Sequence, residues 1–202
     1  MKIFCVGKNY VAHVEEMNGT LPKSPVIFMK PITAFLGNGK PFYLPSFSNN
    51  IHYEAELVLK IDRAGKCISK EHAPTFISGV SLGLDFTARD IQDECKVNGH
   101  PWELAKSFDF SAAAGEFVEM SLDEIMKSRF VAHKNGEIVQ NGDPNLMIFD
   151  IPTIISFLSD RFTLQKGDLI FTGTPKGVGQ VHKGDLLELY LNDKKLLTTD
   201  IK

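Results

Sequence analysis

The sequence IHYEAELVLKI, residues 51–61, carries a strict strand pattern and decides the fold class. Every second position is apolar or aromatic, which is typical of a β-strand with one buried face. The opposite face begins with Glu54 and Glu56, two like charges that repel each other at this spacing. Val58 comes next on the same face, which indicates that this face is not simply solvated. The two adjacent carboxylates therefore need an explanation beyond strand formation.

The patterns on both sides of this stretch are mostly of the β type. Apolar runs predict further strands at residues 3–6, 80–86, 169–172 and 186–191. The pair Asn135-Gly136 predicts a hairpin, because it suits a type I′ turn. Helical patterns predict short helices at residues 10–17 and 87–96 and a third helix with Asp150 as its N-cap. Because regular strand–helix alternation is lacking, we predict an α+β fold that is predominantly β.

The composition is that of an ordinary globular protein and excludes several classes. A chain of 202 residues is long enough for one domain with a full hydrophobic core, which we expect to span residues 1–202. The net charge of -3 offers no basic field to nucleic acid, and no apolar run approaches the roughly 18 residues of a membrane span. Three cysteines without a CxxC pair argue against a disulfide scaffold and favour a reducing cytoplasm.

Glu54 and Glu56, together with Asp85, are candidates for a metal site. Two ionised carboxylates on one side of a strand raise each other's pKa unless a cation lies between them. Such oxygen ligands suit Mg²⁺ or Mn²⁺. Asp85 follows the apolar run VSLGL near a predicted strand end, which makes it the natural third ligand. The alternatives stay open: a solvated strand face for the two glutamates, and a helix N-cap for Asp85.

Two further features could serve in catalysis. His13 and Glu16 share a face if residues 10–17 are helical, so the carboxylate could support the imidazole as a general base. Lys106, among apolar neighbours, could bind a carboxylate or stabilise an oxyanion. The alternatives are an exposed helical histidine beside an acid, and a surface lysine whose stem covers apolar atoms.

The glycine-rich stretch GTPKGVG, residues 173–179, could present backbone N–H groups to an anion. It is not a Walker loop, because it lacks the GK[ST] ending and no helical pattern follows it. The chain also lacks a GxSxG elbow, which argues against a serine hydrolase.

Five blocks follow one another along nearly the whole chain: GKNYVAHVEEM, IHYEAELVLKI, GLDFTARDIQ, PWELAKSFD and GDLIFTGTPKGVG. Together they resemble the fumarylacetoacetate hydrolase family, and most closely its small acylpyruvase-like branch. The resemblance implies a mixed β-sandwich roll of the type found in that family's C-terminal domain. It also implies a homodimer.

The same resemblance implies a role for each candidate residue. The residues that match metal ligands for Mg²⁺ or Mn²⁺ are Glu54, Glu56 and Asp85. His13 and Glu16 match a catalytic dyad on a mobile lid, near residues 9–24, and Lys106 matches an active-site lysine. The residues that match substrate-binding positions are Lys8, Arg89, Gln92 and Thr174. At Lys8 the family more often has arginine, so the fork geometry that suits a carboxylate is lost.

The activity implied is metal-dependent hydrolysis of a carbon–carbon bond in acylpyruvates (2,4-dioxo acids), which gives pyruvate and a carboxylic acid. In that reaction the dyad would take a proton from water, and Lys106 would stabilise the enolate. Three other activities would use the same 2-oxo acid chelate: oxaloacetate decarboxylation, keto–enol tautomerisation of oxaloacetate, and isomerisation of 2-hydroxyhepta-2,4-diene-1,7-dioate. A non-catalytic protein with this fold is the alternative from a different class.

Overall fold

The computed structural model describes all 202 residues, which form fourteen strands and five α-helices. The strands are β1 (Ile3–Gly7), β2 (Val26–Lys30), β3 (Phe35–Gly37), β4 (Ile51–Tyr53), β5 (Ala55–Ile61), β6 (Ile77–Asp85), β7 (Thr87–Ala88), β8 (Ala112–Ala114), β9 (Phe130–Lys134), β10 (Glu137–Gly142), β11 (Leu169–Phe171), β12 (Gly179–Gln180), β13 (Leu186–Leu191) and β14 (Lys194–Asp200). The helices are α1 (Val11–Glu16), α2 (Arg89–Asn98), α3 (Glu103–Lys106), α4 (Leu122–Lys127) and α5 (Ile151–Arg161). No helix is long and apolar enough to cross a membrane.

The largest sheet has seven strands in the order β2-β1-β11-β5-β6-β8-β3. It is a mixed sheet, because β1 runs parallel to β11 while β5 runs antiparallel to β6. Leu57 and Leu59 of β5 belong to the main core, and Val58 belongs to a second buried cluster. The prediction of a strand with one buried face is therefore wrong for β5, because apolar side chains cover both faces of this sheet.

Residues 51–61 also do not form one strand, contrary to the pattern. The chain breaks at Glu54, where β4 leaves a three-stranded sheet of order β12-β4-β7 and β5 enters the seven-stranded sheet. The alternation of apolar residues continues through the break, because the chain passes from one sheet to the next without losing its period. This junction places Glu54 between the two sheets, and Glu56 is the second residue of β5.

A four-stranded sheet of order β10-β9-β13-β14 completes the fold. Its residues Leu187 and Leu189 are fully buried and share the main core with Leu82 of β6. Three curled sheets thus surround one large apolar cluster, with short helices at the periphery. The predicted α+β, predominantly β class and the β-roll architecture are confirmed.

Two local predictions are confirmed by backbone geometry. Asn135 and Gly136 have φ angles of 55° and 85°, which suit the type I′ turn that joins β9 to β10. A side-chain oxygen of Asp150 accepts a hydrogen bond from the backbone N–H of Thr153 at 2.9 Å, so Asp150 is the N-cap of α5.

The helix predicted at residues 87–96 begins later than expected. Thr87–Ala88 pair with β4 as strand β7, and α2 begins at Arg89 without a side-chain cap. Asp85 is the last residue of β6, so the alternative that it caps this helix is wrong. Strand pairing at residues 87 and 88 replaces the first helical turn that the sequence suggested.

Candidate metal centre

Three acidic side chains meet where β5 and β6 lie side by side. Glu54 precedes β5, Glu56 belongs to β5, and Asp85 ends β6. The antiparallel pairing brings Asp85 opposite the break in the chain, and its backbone N–H donates to the carbonyl oxygen of Glu54 at 2.8 Å. One carboxylate oxygen from each residue lies within 4.8 Å of the others, and all three residues are buried.

The Glu56 carboxylate is the least compensated of the three. Burial raises the pKa of this group well above its usual range, and the charges of Asp85 and Glu54 raise it further. Its one close donor is the backbone N–H of Gly173, 2.7 Å from Oε2, and no basic side chain pairs with it. A buried carboxylate in this position favours either protonation or a bound cation.

The chemistry of this donor set fits a hard divalent cation. Such ions take carboxylate oxygens at about 2.0–2.6 Å, so ligand oxygens around one ion lie within a few ångströms of each other. The three oxygens already satisfy that spacing to within a small adjustment. The alternative that Glu54 and Glu56 occupy a solvated strand face is wrong, since both are at least 95% buried.

Lys106 of α3 lies between two of these acids. Its Nζ donates to Oε2 of Glu54 at 2.7 Å, to Oδ2 of Asp85 at 2.8 Å and to Oγ1 of Thr87 at 2.6 Å. Burial lowers the pKa of Lys106, but the charges of Asp85 and Glu54 outweigh that effect and raise it. The alternative of a surface lysine is therefore wrong. The side chain is an ammonium ion whose three N–H groups all donate within the protein.

A second buried lysine, Lys30 of β2, was not recognised from the sequence. Its Nζ lies 2.7 Å from Oδ1 of Asp85 and donates to Oγ of Ser111 at 2.9 Å. The side chain is fully buried. Its only sequence signal is a charge at the end of the apolar run VIFM, which is too weak to distinguish it from a strand-end lysine.

Arg89 and Gln92 extend the site along the first turn of α2. The guanidinium of Arg89 donates to Oε1 of Glu54 and also to Oε1 of Gln92. Burial raises the pKa of Glu54, but Lys106 and Arg89 reverse this and hold it below its usual range. Glu54 is therefore ionised and doubly paired, in contrast to Glu56.

His13 and Glu16 of α1 form the pair that their spacing predicted. Nδ1 of His13 lies 3.2 Å from Oε2 of Glu16, and the histidine is buried rather than exposed. The other oxygen of Glu16, Oε1, accepts a hydrogen bond from the backbone N–H of Gly177 at 2.9 Å. This contact joins α1 to the glycine-rich loop, residues 173–179. Movement of the lid near residues 9–24 stays a prediction.

The glycine-rich loop does present N–H groups to anions, and in this structure the anions are carboxylates of the protein. Gly173 donates to Glu56, and Gly177 donates to Glu16. Thr174 is buried beside them, and its Oγ1 accepts a hydrogen bond from Nε2 of Gln140 at 2.8 Å. Gln140, on β10, is a second site residue that no sequence pattern identifies.

One open pocket unites these groups. The predicted site residues that line it are Lys8, His13, Glu54, Glu56, Asp85, Arg89, Gln92, Lys106 and Thr174. Glu16 is joined to the pocket through His13. Lys96 and Trp102 also line it and were not predicted, because the loop that carries Trp102 approaches the pocket only in the folded chain. The roles of all these residues stay predictions.

The chain is similar to known proteins along nearly its whole length. Residues 2–201 match the family described as fumarylacetoacetate (FAA) hydrolase C-terminal. The mitochondrial oxaloacetate tautomerase FAHD1 of Rattus norvegicus is 46% identical over 187 residues, which are 92% of this chain and 85% of that protein. The mitochondrial oxaloacetate decarboxylase of Dictyostelium discoideum is 37% identical over 189 residues, or 93% of this chain and 87% of that protein.

Among solved structures, the fumarylpyruvate hydrolase from Pseudomonas aeruginosa, in complex with Mn²⁺ and pyruvate, is similar with a TM-score of 0.91. It is 34% identical, and the match covers 100% of this chain and 89% of that one. Three proteins similar to this chain thus carry three different activities.

Proposed function

The chain belongs to the fumarylacetoacetate hydrolase family, and on that premise we propose that it is a metal-dependent enzyme that interconverts the keto and enol forms of oxaloacetate. The proposal departs from the acylpyruvate hydrolysis that the sequence first suggested. It also names Mg²⁺ or Mn²⁺ as the cofactor, held by Glu54, Glu56 and Asp85.

The observation that carries the proposal is the number of uncommitted cations in the pocket. Lys106 and Arg89 are already paired with the buried carboxylates. Lys8 has no carboxylate partner within 4.0 Å, and Lys96 has only a surface pair with Asp93 at 3.0 Å, which is worth about 1 kcal/mol or less. Two available ammonium groups beside the acid cluster favour a substrate with a second carboxylate, which oxaloacetate has and acetylpyruvate lacks.

The backbone at Lys8 adds to this argument. Lys8 has a φ of 58°, a left-handed conformation that costs a non-glycine residue about 1 kcal/mol or more. Such strain is retained where the surrounding structure requires it, and this residue lines the pocket. The relatives named oxaloacetate tautomerase and oxaloacetate decarboxylase support a dicarboxylic 2-oxo acid independently.

His13 is the group we assign to proton transfer. Its Nδ1–H donates to Glu16, so Nε2 is left as the base. Nε2 accepts a proton from C3 of the keto form, and the C–H electron pair becomes the C2=C3 double bond. The electron pair of the C2=O double bond moves to oxygen, which then receives a proton from the imidazolium. Glu16 stabilises the imidazolium while it exists.

The remaining groups bind the substrate and neutralise its negative charge. A divalent cation at the acid cluster would supply Lewis acidity at the 2-oxo oxygen. Lys106 stays an ammonium ion that keeps Glu54 ionised and holds Glu54 and Asp85 in place. Thr174 presents its hydroxyl to the substrate carboxylate, and Lys8 and Lys96 attract the second carboxylate.

Hydrolysis of an acylpyruvate with an acidic acyl group is the second candidate. It is favoured by the His13–Glu16 pair, which would activate water equally well, and by the similar fumarylpyruvate hydrolase, whose substrate also carries two carboxylates. Oxaloacetate decarboxylation is a third candidate. It uses the same substrate and needs no attacking water, and the experiment below distinguishes it by the pyruvate that it releases.

The test follows oxaloacetate by ultraviolet absorbance of the enol, using metal-stripped protein with and without Mn²⁺ or Mg²⁺. Pyruvate is measured in parallel with lactate dehydrogenase and NADH, and acetylpyruvate is offered separately. Metal-dependent loss of the enol without pyruvate supports the tautomerase. Pyruvate from oxaloacetate would make the protein a decarboxylase, and faster loss of acetylpyruvate would restore the hydrolase.

The variants Lys8→Met and Lys96→Met test the substrate class. Each should raise KM for oxaloacetate about 5- to 20-fold, as expected from the loss of one partly exposed charge contact. Neither should change KM for acetylpyruvate, which has no second carboxylate. Lys127→Met, on the exposed side of α4, is the matched control. Equal effects on both substrates would contradict a subsite for the second carboxylate.

A further inference from the structure

We propose that Gln140 is a positioning residue that fixes two parts of the site at once: the direction of the Thr174 hydroxyl and the turn between Glu54 and Glu56. The inference rests on the proposed function in so far as Thr174 binds substrate. Gln140 lies on β10, where the pairing with β9 shifts register between Ile138 and Gln140, and it is 2% exposed.

The orientation of the Gln140 amide is determined by its neighbours. Its Oε1 lies 2.8 Å from the backbone nitrogen of Ala55, which can only donate. Its Nε2 lies 2.8 Å from the carbonyl oxygen of Pro175, which can only accept. A flipped amide would lose both hydrogen bonds, so the nitrogen must face the loop and the oxygen must face Ala55.

This orientation dictates what Thr174 can do. The second N–H of the Gln140 amide points to Oγ1 of Thr174 at 2.8 Å, so the hydroxyl oxygen accepts there. The hydroxyl hydrogen must then find another acceptor, and the carbonyl oxygen of Pro175, at 3.4 Å, is too distant for a good bond. Thr174 lines the pocket, so its O–H is available to donate to a bound anion.

The other end of the amide holds the turn that carries the metal ligands. Ala55 separates Glu54 from Glu56, and the peptide group that joins Glu54 to Ala55 is fixed on both sides. Its carbonyl oxygen accepts from the N–H of Asp85 at 2.8 Å, and its N–H donates to Gln140. The plane of this peptide sets the directions in which the two glutamates leave the backbone.

The glycine-rich loop is packed tightly against the same strand. A Cβ at Gly177 would lie 2.2 Å from the carbonyl oxygen of Val139 and 3.2 Å from Cγ of Gln140. Gln140 therefore joins three segments that are distant in sequence: β10, the junction of β4 with β5, and the loop. A buried amide with all three of its hydrogen bonds directed at site segments is suited to positioning rather than to chemistry.

Two substitutions separate the two effects. Gln140→Glu keeps an acceptor for Ala55 but makes the side chain an acceptor towards Thr174, so that the hydroxyl turns away from the pocket. Gln140→Met keeps the volume and removes every hydrogen bond. The matched control is Gln180→Met. Gln180 lies on β12, outside the pocket, and the substitution removes its hydrogen bond to the carbonyl oxygen of Asn49.

The readouts are KM and kcat for oxaloacetate, and the Kd for Mn²⁺ and for pyruvate in its presence, measured by calorimetry. Gln140→Glu should raise KM and the pyruvate Kd about tenfold, with kcat within about threefold, as for the loss of one hydrogen bond to a charged group. In a Thr174→Val background, the same substitution should change KM less than about twofold. Gln140→Met should in addition weaken Mn²⁺ about tenfold, as outer-shell substitutions do.

Three outcomes would overturn the inference. These are an unchanged KM and Mn²⁺ affinity in both Gln140 variants, an equal KM rise in the Thr174→Val background, and an equal effect of Gln180→Met. Should Gln140→Met fail to fold, Gln140→Glu still decides the part that concerns Thr174. Failure of the wild-type protein to turn over oxaloacetate would reject the proposed function alone, because the Mn²⁺ comparison would still test the turn.

Discussion

At Glu56, burial and the neighbouring negative charges both raise the pKa of the carboxyl group. Three buried cationic side chains, Lys30, Arg89 and Lys106, accompany the three buried acids, but they pair with Glu54 and Asp85 and leave Glu56 with a single backbone donor. Burial and the two neighbouring acids raise its pKa, so an ionised Glu56 lowers the stability of the metal-free protein. A bound cation would remove this destabilisation. The residue best suited to bind a metal is thus the one that most destabilises the metal-free protein.

The substitution Glu56→Gln tests whether Glu56 destabilises the metal-free protein while it binds the metal. It removes the buried charge and keeps an oxygen that can accept from Gly173, so the metal-free protein should gain stability at pH 8. A gain of about 1 kcal/mol raises Tm by roughly 2–4 °C in a chain of this size. The Mn²⁺ affinity should fall about 100-fold or more, since a ligand is lost. Calorimetric Tm and Mn²⁺ titration of both proteins provide the measurement.

The pH dependence follows from the sign of the pKa shift. The pKa of Glu56 is raised by folding, so its stabilising contribution is present below the unfolded value of about 4.3 and is lost as pH rises through the folded value. The stability advantage of Glu56→Gln over the wild type should therefore grow as pH increases towards 8. A constant difference across this range would show that Glu56 is not protonated in the metal-free protein.

At the scale of an element, the glycine-rich loop between β11 and β12 positions the site through its backbone. Gly173 has a φ of 105° and Gly177 has a φ of 99°, and the N–H of each donates to a carboxylate of the pocket. A side chain at either position would meet both the left-handed backbone and a close neighbour. The loop has this shape because glycine occupies both points.

Gly177→Ala should displace the loop from β10. The added Cβ would lie 2.2 Å from the carbonyl oxygen of Val139, so either that strand or the loop must move. Gly184→Ala is the matched control, because its φ of 98° is similar and nothing lies within 4 Å of its Cβ. The positive φ should cost both variants about 1 kcal/mol of stability. Gly177→Ala should lose more because of the added contact, and it alone should raise KM for oxaloacetate. A similar KM in the two variants would argue against a fixed loop.

For the whole molecule, the site lies at the junction of the seven-stranded and three-stranded sheets, and its residues come from five distant parts of the chain. Large apolar side chains remain exposed elsewhere. Ile32 is 61% and Phe110 is 51% exposed, and the backbone N–H of Phe110 donates to the carbonyl oxygen of Thr33, so these side chains belong to one region. We propose that this region contributes to the homodimer that the family resemblance implies.

The variant Phe110→Asp tests the dimer. Light scattering of the wild-type protein should give twice the mass of one chain, and the charged variant should shift towards the single-chain mass because the buried charge would lack a partner. Ile138→Asp, a similarly exposed apolar residue on β10, is the control. A single-chain mass for the wild type would reject the homodimer.

The predicted location in a reducing cytoplasm rests on cysteine chemistry. Cys5, Cys67 and Cys95 are all free thiols in the structure, and Cys5 and Cys95 are buried. The location itself stays a prediction, and two of the relatives described above carry mitochondrial names.

The sequence by itself determined the β-rich fold class, and it offered the acids, the dyad and Lys106 as candidates whose roles stay predictions. These signals are local: a period of two, a short motif such as E-x-E, or a pair three residues apart on a helix. The β9–β10 turn and the cap of α5 were predictable for the same reason, since Asn135-Gly136 and Asp150 act on backbone groups within a few residues.

Only the tertiary structure decided how these residues come together. The break at Glu54 keeps the strand period, so it leaves no trace in the pattern that predicted one continuous strand. Lys30 and Gln140 reach the site through contacts with segments more than thirty residues away, as Gln140 does with Ala55 and Lys30 with Asp85. Burial and ion pairing arise only when those segments pack, and they turn ordinary polar residues into parts of a site.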